Sequence, residues 1–326
     1  DIMQGVSIAL FIKDKKQKEL GKIFYQDIYG LQEKKYKYLN KYDIDSTKWI
    51  QLQPSEPHYF FVQKDFSHQT KYDKFLSISK VFDQFSFGVT TARDHFVVGF
   101  TEEEIKNRMR TFTSNLPDDL VAQTFDFKDT GEWKINTARE QVKRVNWKEF
   151  IKPYSYRPFD NRNVLYLSSL IERDRFEIMQ HFLDKDNIAL SLTRRLRDPI
   201  WQHIYVTNHI TDKTLLSSRD NCYCFPLYIY RQKEKPKKRS LGSVMMLFEP
   251  EAEYFLKKPN LSPAVFEKLG KTFNKKPEPE EIFFYIYAVL YSNIYRTKYA
   301  DFLKIDFPRI PFTKDYKLFS KMAKLG

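Results

Sequence analysis

Glycine is scarce in this chain of 326 residues, with nine copies, at positions 5, 21, 30, 88, 99, 131, 242, 270 and 326. No two glycines are two positions apart, so the dinucleotide-binding loop G-x-G-x-x-G is absent. No two are five positions apart, so the phosphate-binding loop G-x-x-x-x-G-K-[ST] is absent as well. These absences exclude a complete nucleotide-binding domain of either kind.

Cysteine and long apolar runs are also scarce. The only two cysteines, Cys222 and Cys224, are too few for a disulfide framework, and their spacing lacks the second ligand pair of a zinc site. The longest apolar runs, such as residues 6–12, are far shorter than a membrane-spanning helix. Because 42% of the residues are hydrophobic, we expect a globular protein in the reducing cytoplasm, with no membrane partner and no metal site.

Positive charge is abundant but unevenly distributed. Lys and Arg number 55 against 42 Asp and Glu, a net of +13. Residues 1–150 hold 24 basic and 22 acidic residues, a net of +2, whereas residues 151–326 hold 31 and 20, a net of +11. An excess of positive charge in one half of the chain indicates that this half binds a phosphate-bearing partner or an acidic surface. The alternative is a basic protein without a polyanionic partner.

Hydrophobic patterning predicts an α+β fold in three parts. Residues 1–45 contain an apolar run at 5–12, which predicts a strand buried on both faces, then a second strand at 22–29 and a helical turn at 34–39. A strand of that kind needs a sheet around it, so we expect this part to be the tail of a sheet whose other strands lie upstream.

The middle part, residues 46–150, is predicted to be a connector of mixed secondary structure. Thr101 and Glu104 have the spacing of a helix-capping box, and Pro117 opens another short helix. Pro158 is expected to break regular structure at the start of the third part, residues 151–326.

The third part has β-rich and helical stretches. Strands are predicted at 163–167, 187–192, 201–206 and 223–230, and helices at 172–183, from 277 and from 295 to about 308.

A loop with three arginines, Arg194, Arg195 and Arg197, lies between two of these predicted strands. Arginine binds phosphates, and it recognises guanine through a bidentate pair of hydrogen bonds. Other side chains suited to hydrogen bonding with base edges follow it closely: Gln202, His203, Asn208, His209, Arg219 and Asn221. The alternatives are a solvated turn neutralised by Asp198 and the polar loops of an ordinary β-domain.

The run 231–239 is compositionally basic and includes Lys237 and Lys238. Its composition suits contact with a nucleic-acid backbone regardless of sequence. A solvated hairpin loop is the alternative.

One catalytic pattern is also present. Pro117-Asp118 followed by Glu132 and Lys134 matches P-D-x(n)-E-x-K, in which two carboxylates hold Mg²⁺ and a lysine assists attack on a phosphodiester. That chemistry requires Asp118 on a strand, whereas its surroundings indicate a helix start. A Mg²⁺-dependent nuclease therefore remains an alternative.

Several sequence segments together resemble one family, the single-chain restriction–modification N6-adenine DNA methyltransferases of type ISP and type IIG. Residues 1–13 are similar to a late strand of the methyltransferase domain. Residues 91–96 (TARDHF) resemble a segment of the family's connector. Residues 156–160 (YRPFD), together with Arg162, resemble the start of its target-recognition region. Later similarities cover residues 225–230, 285–290, 295–296 and 302–311.

The resemblance implies a bacterial DNA-recognition module, with residues 163–224 as its target-reading stretch. S-adenosylmethionine and the methyl-transfer motif Asn-Pro-Pro-Tyr would belong to the upstream domain of the parent protein, because this sequence lacks the motif. We therefore expect no cofactor and no catalytic residue in this chain itself. Its partners would be duplex DNA and that upstream domain.

The expected contacts fall into two groups. Phosphate contacts are predicted for Arg157, Arg162, Arg173, Arg175, Lys237 and Lys238. Base-edge contacts are predicted for Arg194, Arg195, Arg197, Gln202, His203, Arg219 and Asn221. A protein-interaction scaffold and an RNA-binding module are further alternatives.

Overall fold

The structure, a computed structural model, describes residues 5–13, 16, 18–19, 21–197, 200–202, 204–232 and 255–326. The chain divides into two compact units, Asp1–Asp65 and Phe66–Gly326. Helices occur together with several small sheets, so the predicted α+β class is confirmed. No helix in these ranges is both long enough and apolar enough to cross a membrane.

The first unit contains one two-stranded antiparallel sheet. Strand β1 (Ile23–Tyr25) pairs with β2 (Ile50–Leu52), and helix α1 (Gln32–Lys41) lies between them in the sequence. These elements confirm the strand predicted within 22–29 and the helical turn at 34–39. No hydrophobic side chain described in this unit is buried, so its described residues build no core.

The apolar run at residues 5–12 is not a strand. It has no regular structure, and Val6, Ile8 and Phe11 are 75%, 87% and 81% exposed. A strand is buried only when neighbouring strands pair with it and other layers cover its faces. In the described part of this unit no strand pairs with residues 5–12, so the prediction of a buried strand is wrong for this chain.

The second unit contains the remaining strands and helices. Its strands are β3 (Leu76–Ser77), β4 (Ser86–Phe87), β5 (Val98–Gly99), β6 (Ile151–Arg157), β7 (Asp160–Leu165), β8 (Ala189–Thr193), β9 (Ile204–Thr207), β10 (Ile210–Thr211), β11 (Cys222–Pro226), β12 (Tyr228–Gln232), β13 (Phe255–Pro259) and β14 (Arg309–Ile310). Its α-helices are α2 (Gln69–Tyr72), α3 (Ile78–Val81), α4 (Asp94–Val97), α5 (Glu102–Phe112), α6 (Asp118–Thr124), α7 (Ile135–Lys143), α8 (Phe176–Met179), α9 (Pro263–Phe273), α10 (Pro279–Tyr291), α11 (Asn293–Lys298), α12 (Ala300–Leu303) and α13 (Tyr316–Leu325).

Two four-stranded sheets form the centre of the second unit. Their strand orders are β10-β6-β7-β5 and β4-β11-β8-β9. The chain after β4 joins them, because the Gly88 amide donates to the Cys222 carbonyl and the Val89 amide donates to the Thr211 carbonyl. Glycine is required at this crossing, since a Cβ on Gly88 would lie 2.5 Å from the carbonyl carbon of Asp212.

Two hydrophobic cores pack against these sheets. Behind the β6–β7 sheet, buried residues of α5 and α7 such as Met109 and Val142 pack with Val164. Behind the β8–β11 sheet, Leu190 packs with Ile286 of the long C-terminal helix α10. The C-terminal helices thus belong to the same hydrophobic core as the strands that flank the three-arginine loop.

Local capping signals place two of these helices. The Thr101 hydroxyl accepts from the Glu104 amide at the start of α5, whereas the Glu104 carboxylate accepts from the Phe100 amide and not from Thr101. Only half of the predicted capping box therefore forms. At the start of α10 the Glu278 amide donates to Glu281 over 3.0 Å, and the predicted helix there is confirmed.

Two predicted helices are shorter or interrupted. Within 172–183 only α8 forms, because Arg175 has a left-handed backbone with φ of 55° and Arg173 pairs instead with Thr90. The helix predicted from 295 is broken at Tyr299 into α11 and α12, since Tyr299 leaves helical geometry (φ −114°, ψ 24°). The predicted strand 223–230 is likewise divided at Leu227 into β11 and β12.

Candidate nucleic-acid interface

The hairpin of β6 and β7 carries the first two predicted DNA contacts. Pro158 and Phe159 form its turn, between Arg157 at the end of β6 and Asp160 at the start of β7. The fixed backbone angle and missing amide hydrogen of Pro158 suit a turn position, and β6 ends before it, as predicted. Phe159 adopts a left-handed backbone with φ of 62°.

Arg157 is held by a buried carboxylate. Its Nη1 lies 2.9 Å from Oδ1 of Asp212, whose side chain is only 6% exposed. Asp212 also accepts from the Tyr154 hydroxyl over 2.5 Å and from the Thr214 amide over 2.7 Å. Burial and the neighbouring Asp212 charge raise the pKa of Tyr154 well above its usual value. This network fixes the end of β6 and orients the Arg157 guanidinium.

Arg162 is held in a stack of aromatic rings. Its guanidinium donates to both carboxylate oxygens of Asp160 and lies 4.1 Å from the ring centre of Phe100 and 4.2 Å from that of Tyr156. The hydrogen bonds between the two groups raise the pKa of Arg162 and lower that of Asp160. Arg157 also lies over the Tyr156 ring, at 3.9 Å. Both arginines are therefore ordered and partly neutralised before any ligand binds.

Arg173 and Arg175 lie after the second half of this hairpin. Arg173 is more than half exposed, with Nη2 3.8 Å from Glu132 Oε2. Arg175 lies over the Phe87 ring at 5.4 Å, and its buried Nε has no hydrogen-bond partner in the described parts of the chain. Arg173 is thus the more accessible of the two predicted phosphate contacts.

The three-arginine loop is anchored at both ends and open in the middle. Arg194 donates to Asp306 over 2.6 Å, and Arg197 Nε lies 3.7 Å from Asp220. Between them Arg195 is exposed and forms no ion pair with any described residue. The acids that hold the loop come from distant parts of the sequence, whereas Asp198, the expected neutralising group, lies outside the described residues. Arg195 is therefore the cation of this loop best placed to meet a ligand.

A second loop, residues 217–221, is tied to the first. The buried Asp220 carboxylate accepts from the Arg197 amide and from the Ser217 hydroxyl, both over 3.3 Å. Arg219 and Asn221, in the same loop, are exposed, as is Gln202 beyond the three-arginine loop. The structure thus brings together the two loops that carry the predicted base contacts Arg195 and Arg219.

The remaining predicted contact residues lie either in the turn between β9 and β10 or outside the described part of the chain. Asn208 is exposed in the β9–β10 turn, while His209 is half-buried there, and burial lowers its pKa. His203, Lys237 and Lys238 lie outside the described residues.

A family profile described as the Type ISP C-terminal specificity domain matches residues 80–326. The chain belongs to this family. The match covers both four-stranded sheets and all the predicted contact residues, so the family resemblance seen in the sequence is confirmed there. No curated protein matches the chain.

Solved structures share the fold of this specificity domain. A cryo-EM structure of a DrdV–DNA complex has a TM-score of 0.71 and 22% identity, over 93% of this chain and 30% of that one. The ATP-dependent Type ISP restriction–modification enzyme LlaBIII bound to DNA has a TM-score of 0.62 and 20% identity, over 85% and 18%. A nuclease-deletion mutant of the Type ISP enzyme LlaGI, in complex with a DNA substrate mimic, has a TM-score of 0.62 and 17% identity, over 93% and 23%. This chain spans less than a third of the length of each.

The specificity domain does not assemble the alternative nuclease site. Asp118 begins helix α6 instead of lying on a strand, and it pairs with the buried Arg139. Lys134 pairs with Asp129 over 3.5 Å. In the described ranges no group of three His, Cys, Asp or Glu side chains is arranged to hold a metal ion. Asp118 therefore stabilises the packing of α6 and α7.

Sequence reasoning missed several residues of this specificity domain. The buried acids Asp212 and Asp220 and the exposed acid Asp306 carry no local signal, because their partners are brought close only by the fold. Phe159 did carry a signal, since a large apolar residue beside proline in a turn is unusual. Its neighbour Tyr205 on β9 lies edge-on to it at 5.6 Å.

Proposed function

We propose that this chain recognises a specific sequence of duplex DNA for a restriction–modification enzyme that methylates adenine. The observation that carries the proposal is the pair of joined loops within a Type ISP specificity domain, where Arg195 and Arg219 are exposed. Arginine and asparagine side chains suit the major-groove edges of guanine and adenine. The net charge of +11 on residues 151–326 would attract the phosphate backbone.

Within this proposal the contacts have separate tasks. Arg157 and Arg162, held by Asp212 and Asp160, would set the orientation of the domain on the backbone, because their guanidiniums are already ordered. Arg173 would add a more exposed phosphate contact. The loops 194–197 and 217–221 would read base edges, with Arg195 in the leading role.

Methyl transfer would belong to an upstream domain of the parent protein. This chain has no Asn-Pro-Pro-Tyr and no glycine-rich loop, so we assign no S-adenosylmethionine-binding residue to it. The exposed apolar side chains of residues 5–12 support contact with such a domain, since neighbouring strands would remove them from water. Recognition would hold the duplex while the upstream domain turns an adenine out of the helix.

The test is selection of bound molecules from a random-sequence duplex library, followed by affinity measurements across a salt series. We expect enrichment of one short motif and an affinity that falls steeply as salt rises. Salt-dependent binding without enrichment would reduce the function of this chain to backbone binding. Tighter binding to RNA hairpins than to duplex DNA would favour the RNA-binding alternative. No binding at low salt would favour the scaffold alternative.

A further inference from the structure

The tip of the β6–β7 hairpin presents a single aromatic ring to solvent. Phe159 is 91% exposed, the most exposed of the large aromatic side chains described. Its φ of 62° lies in the left-handed region, which glycine and asparagine occupy easily and a bulky side chain occupies at a cost. The position therefore carries an unfavourable residue that buries almost none of its own surface, so fold stability does not explain it.

The ring is nevertheless held in a defined place. The Phe159 amide points to the Tyr205 hydroxyl at 3.4 Å, and the two rings meet edge to face at 5.6 Å. On either side of the turn, Arg157 is fixed by Asp212 and Arg162 by Asp160. A ring on so constrained a turn loses little conformational entropy when it meets a partner.

The tip contacts the strand that follows the three-arginine loop. Tyr205 belongs to this strand, β9, and lies three positions after Gln202. Three residues reach roughly 11 Å at most. Through its contact with Tyr205, Phe159 is therefore joined to the strand that begins two residues after the predicted base contact Gln202.

The chemistry around the ring favours a base stack over a protein partner. Apart from Pro158 and the Tyr205 ring, the neighbours at the tip are polar, with Arg157, Asp160 and the exposed Asn161 flanking the Phe159 ring. Protein interfaces are marked by contiguous apolar patches, whereas proteins that distort DNA insert single apolar side chains between bases beside cationic groups. A lone ring on a rigid, polar hairpin matches the second pattern.

We propose that Phe159 is a wedge that inserts into the base stack of the bound duplex and occupies the space left where a base is displaced. This inference rests on the proposed function. It assigns Phe159 a positioning role: the ring stabilises distorted DNA and makes no hydrogen bond to a base edge.

The experiment compares two short duplexes of the same sequence, one fully paired and one with a single abasic site, which offers a gap in the stack. The full chain should bind the abasic duplex more tightly than the paired one at low salt. Phe159→Gly should lose that preference, weakening abasic-site binding by about fivefold or more, the size expected for loss of one base–aromatic stack. Phe159→Trp should keep the preference.

Two controls separate a wedge from a structural role. Phe159→Gly should melt at or above the temperature of the parent, because glycine accepts the left-handed backbone without strain. Phe24→Ala, which removes a half-exposed ring of the first unit, should leave the ratio of the two affinities unchanged.

The remaining outcomes distinguish the wedge from the proposed function. If the parent chain binds duplex DNA and Phe159→Gly shows the same ratio of affinities, or weakens both duplexes equally, the wedge is wrong and the proposed function stands. If the parent chain binds neither duplex, the proposed function fails and the wedge fails with it.

Discussion

Arg194 and Asp306 lie 112 positions apart in the sequence, and Nε of Arg194 donates to Oδ1 of Asp306 over 2.6 Å. Two residues further along the loop, the Leu196 amide donates to the carbonyl of Lys304. The segment after α12 therefore anchors the start of the predicted base-reading loop. The C-terminal helices are part of the structure that presents this loop.

Releasing Arg194 should strengthen DNA binding that is independent of sequence. In Asp306→Asn the guanidinium loses its acid partner and gains freedom to meet a phosphate, so the slope of log affinity against log salt should steepen by about one. Stability should change by less than about 1 kcal/mol, because both side chains are roughly half exposed. Affinity for random-sequence duplex across a salt series measures the effect.

Glu140→Gln is the matched control for that change. It releases the exposed Arg144, which has no predicted contact with DNA. An equal steepening in both variants would mean that any surface charge change has the same effect, and would contradict a special position for Arg194.

How much the sequence can predict depends on whether a feature is determined locally. Helix α10 follows from the carboxylates of its first turn and an apolar stripe within one stretch, and the end of β6 follows from Pro158 at the turn. The acid partners of Arg157 and Arg194 are 55 and 112 positions away, so only the folded chain reveals that these cations are already paired. Sequence alone could not separate them from Arg195, which pairs with no acid in the part of the chain that the structure describes.

Residues 5–12 show the opposite limit. These residues are apolar in sequence, but they are buried only if other strands pair with them. None of the described strands does so, and their side chains are exposed. A hydrophobic run predicts that a surface is to be covered, without specifying what covers it.

Arg195→Ala should weaken binding to the selected motif by about 1–3 kcal/mol and relax specificity at one base pair. The reason is that Arg195 is exposed and has no ion-pair partner among the described residues, whereas Arg194 and Arg197 on either side of it are paired with acids. Lys237→Ala, predicted from sequence to remove a backbone contact, should instead weaken all duplexes alike and lower the salt slope. Competition between motif and random duplexes measures both effects.

Arg144→Ala is the control, since this exposed arginine carries no predicted contact. Equal losses on motif and random DNA for Arg195→Ala would show that the residue contacts only the backbone.

Arg139→Met should destabilise the second unit by about 3 kcal/mol or more, because it leaves buried acceptors without a donor. Arg139 is 5% exposed, and its guanidinium donates to the carbonyls of Phe112, Ser114 and Leu116 over 2.7–2.9 Å, and to Asp118. Urea denaturation measures the change, with Arg144→Met, at an exposed position, as the control. A loss below about 1 kcal/mol would show that water replaces the lost donors.

Acid should destabilise the chain through His181 before the carboxylates titrate. Burial, reinforced by the positive charges of Lys185 and Arg231, lowers the pKa of His181 from 6.5 to about 4. Its Nδ1 accepts from the Tyr230 amide over 3.2 Å, which requires a neutral ring. Between these pKa values the unfolded chain binds a proton that the folded chain does not. Stability is therefore retained near pH 7 and lost as the pH falls from about 6.5 towards 4.

The expected loss from this group between pH 7 and pH 5 is about 2 kcal/mol. His181→Asn, whose side-chain oxygen can accept the same amide without titrating, should remove that part of the pH dependence. Urea denaturation of parent and variant at both pH values measures the contribution of His181 to this pH dependence. Burial also lowers the pKa of His209, which therefore reduces stability on acidification as well. That reduction is the same in parent and variant, so it cancels in the comparison. His209→Asn is the matched control and should leave the His181 contribution intact. If parent and His181→Asn lose the same stability on acidification, the titrating group lies elsewhere in the chain.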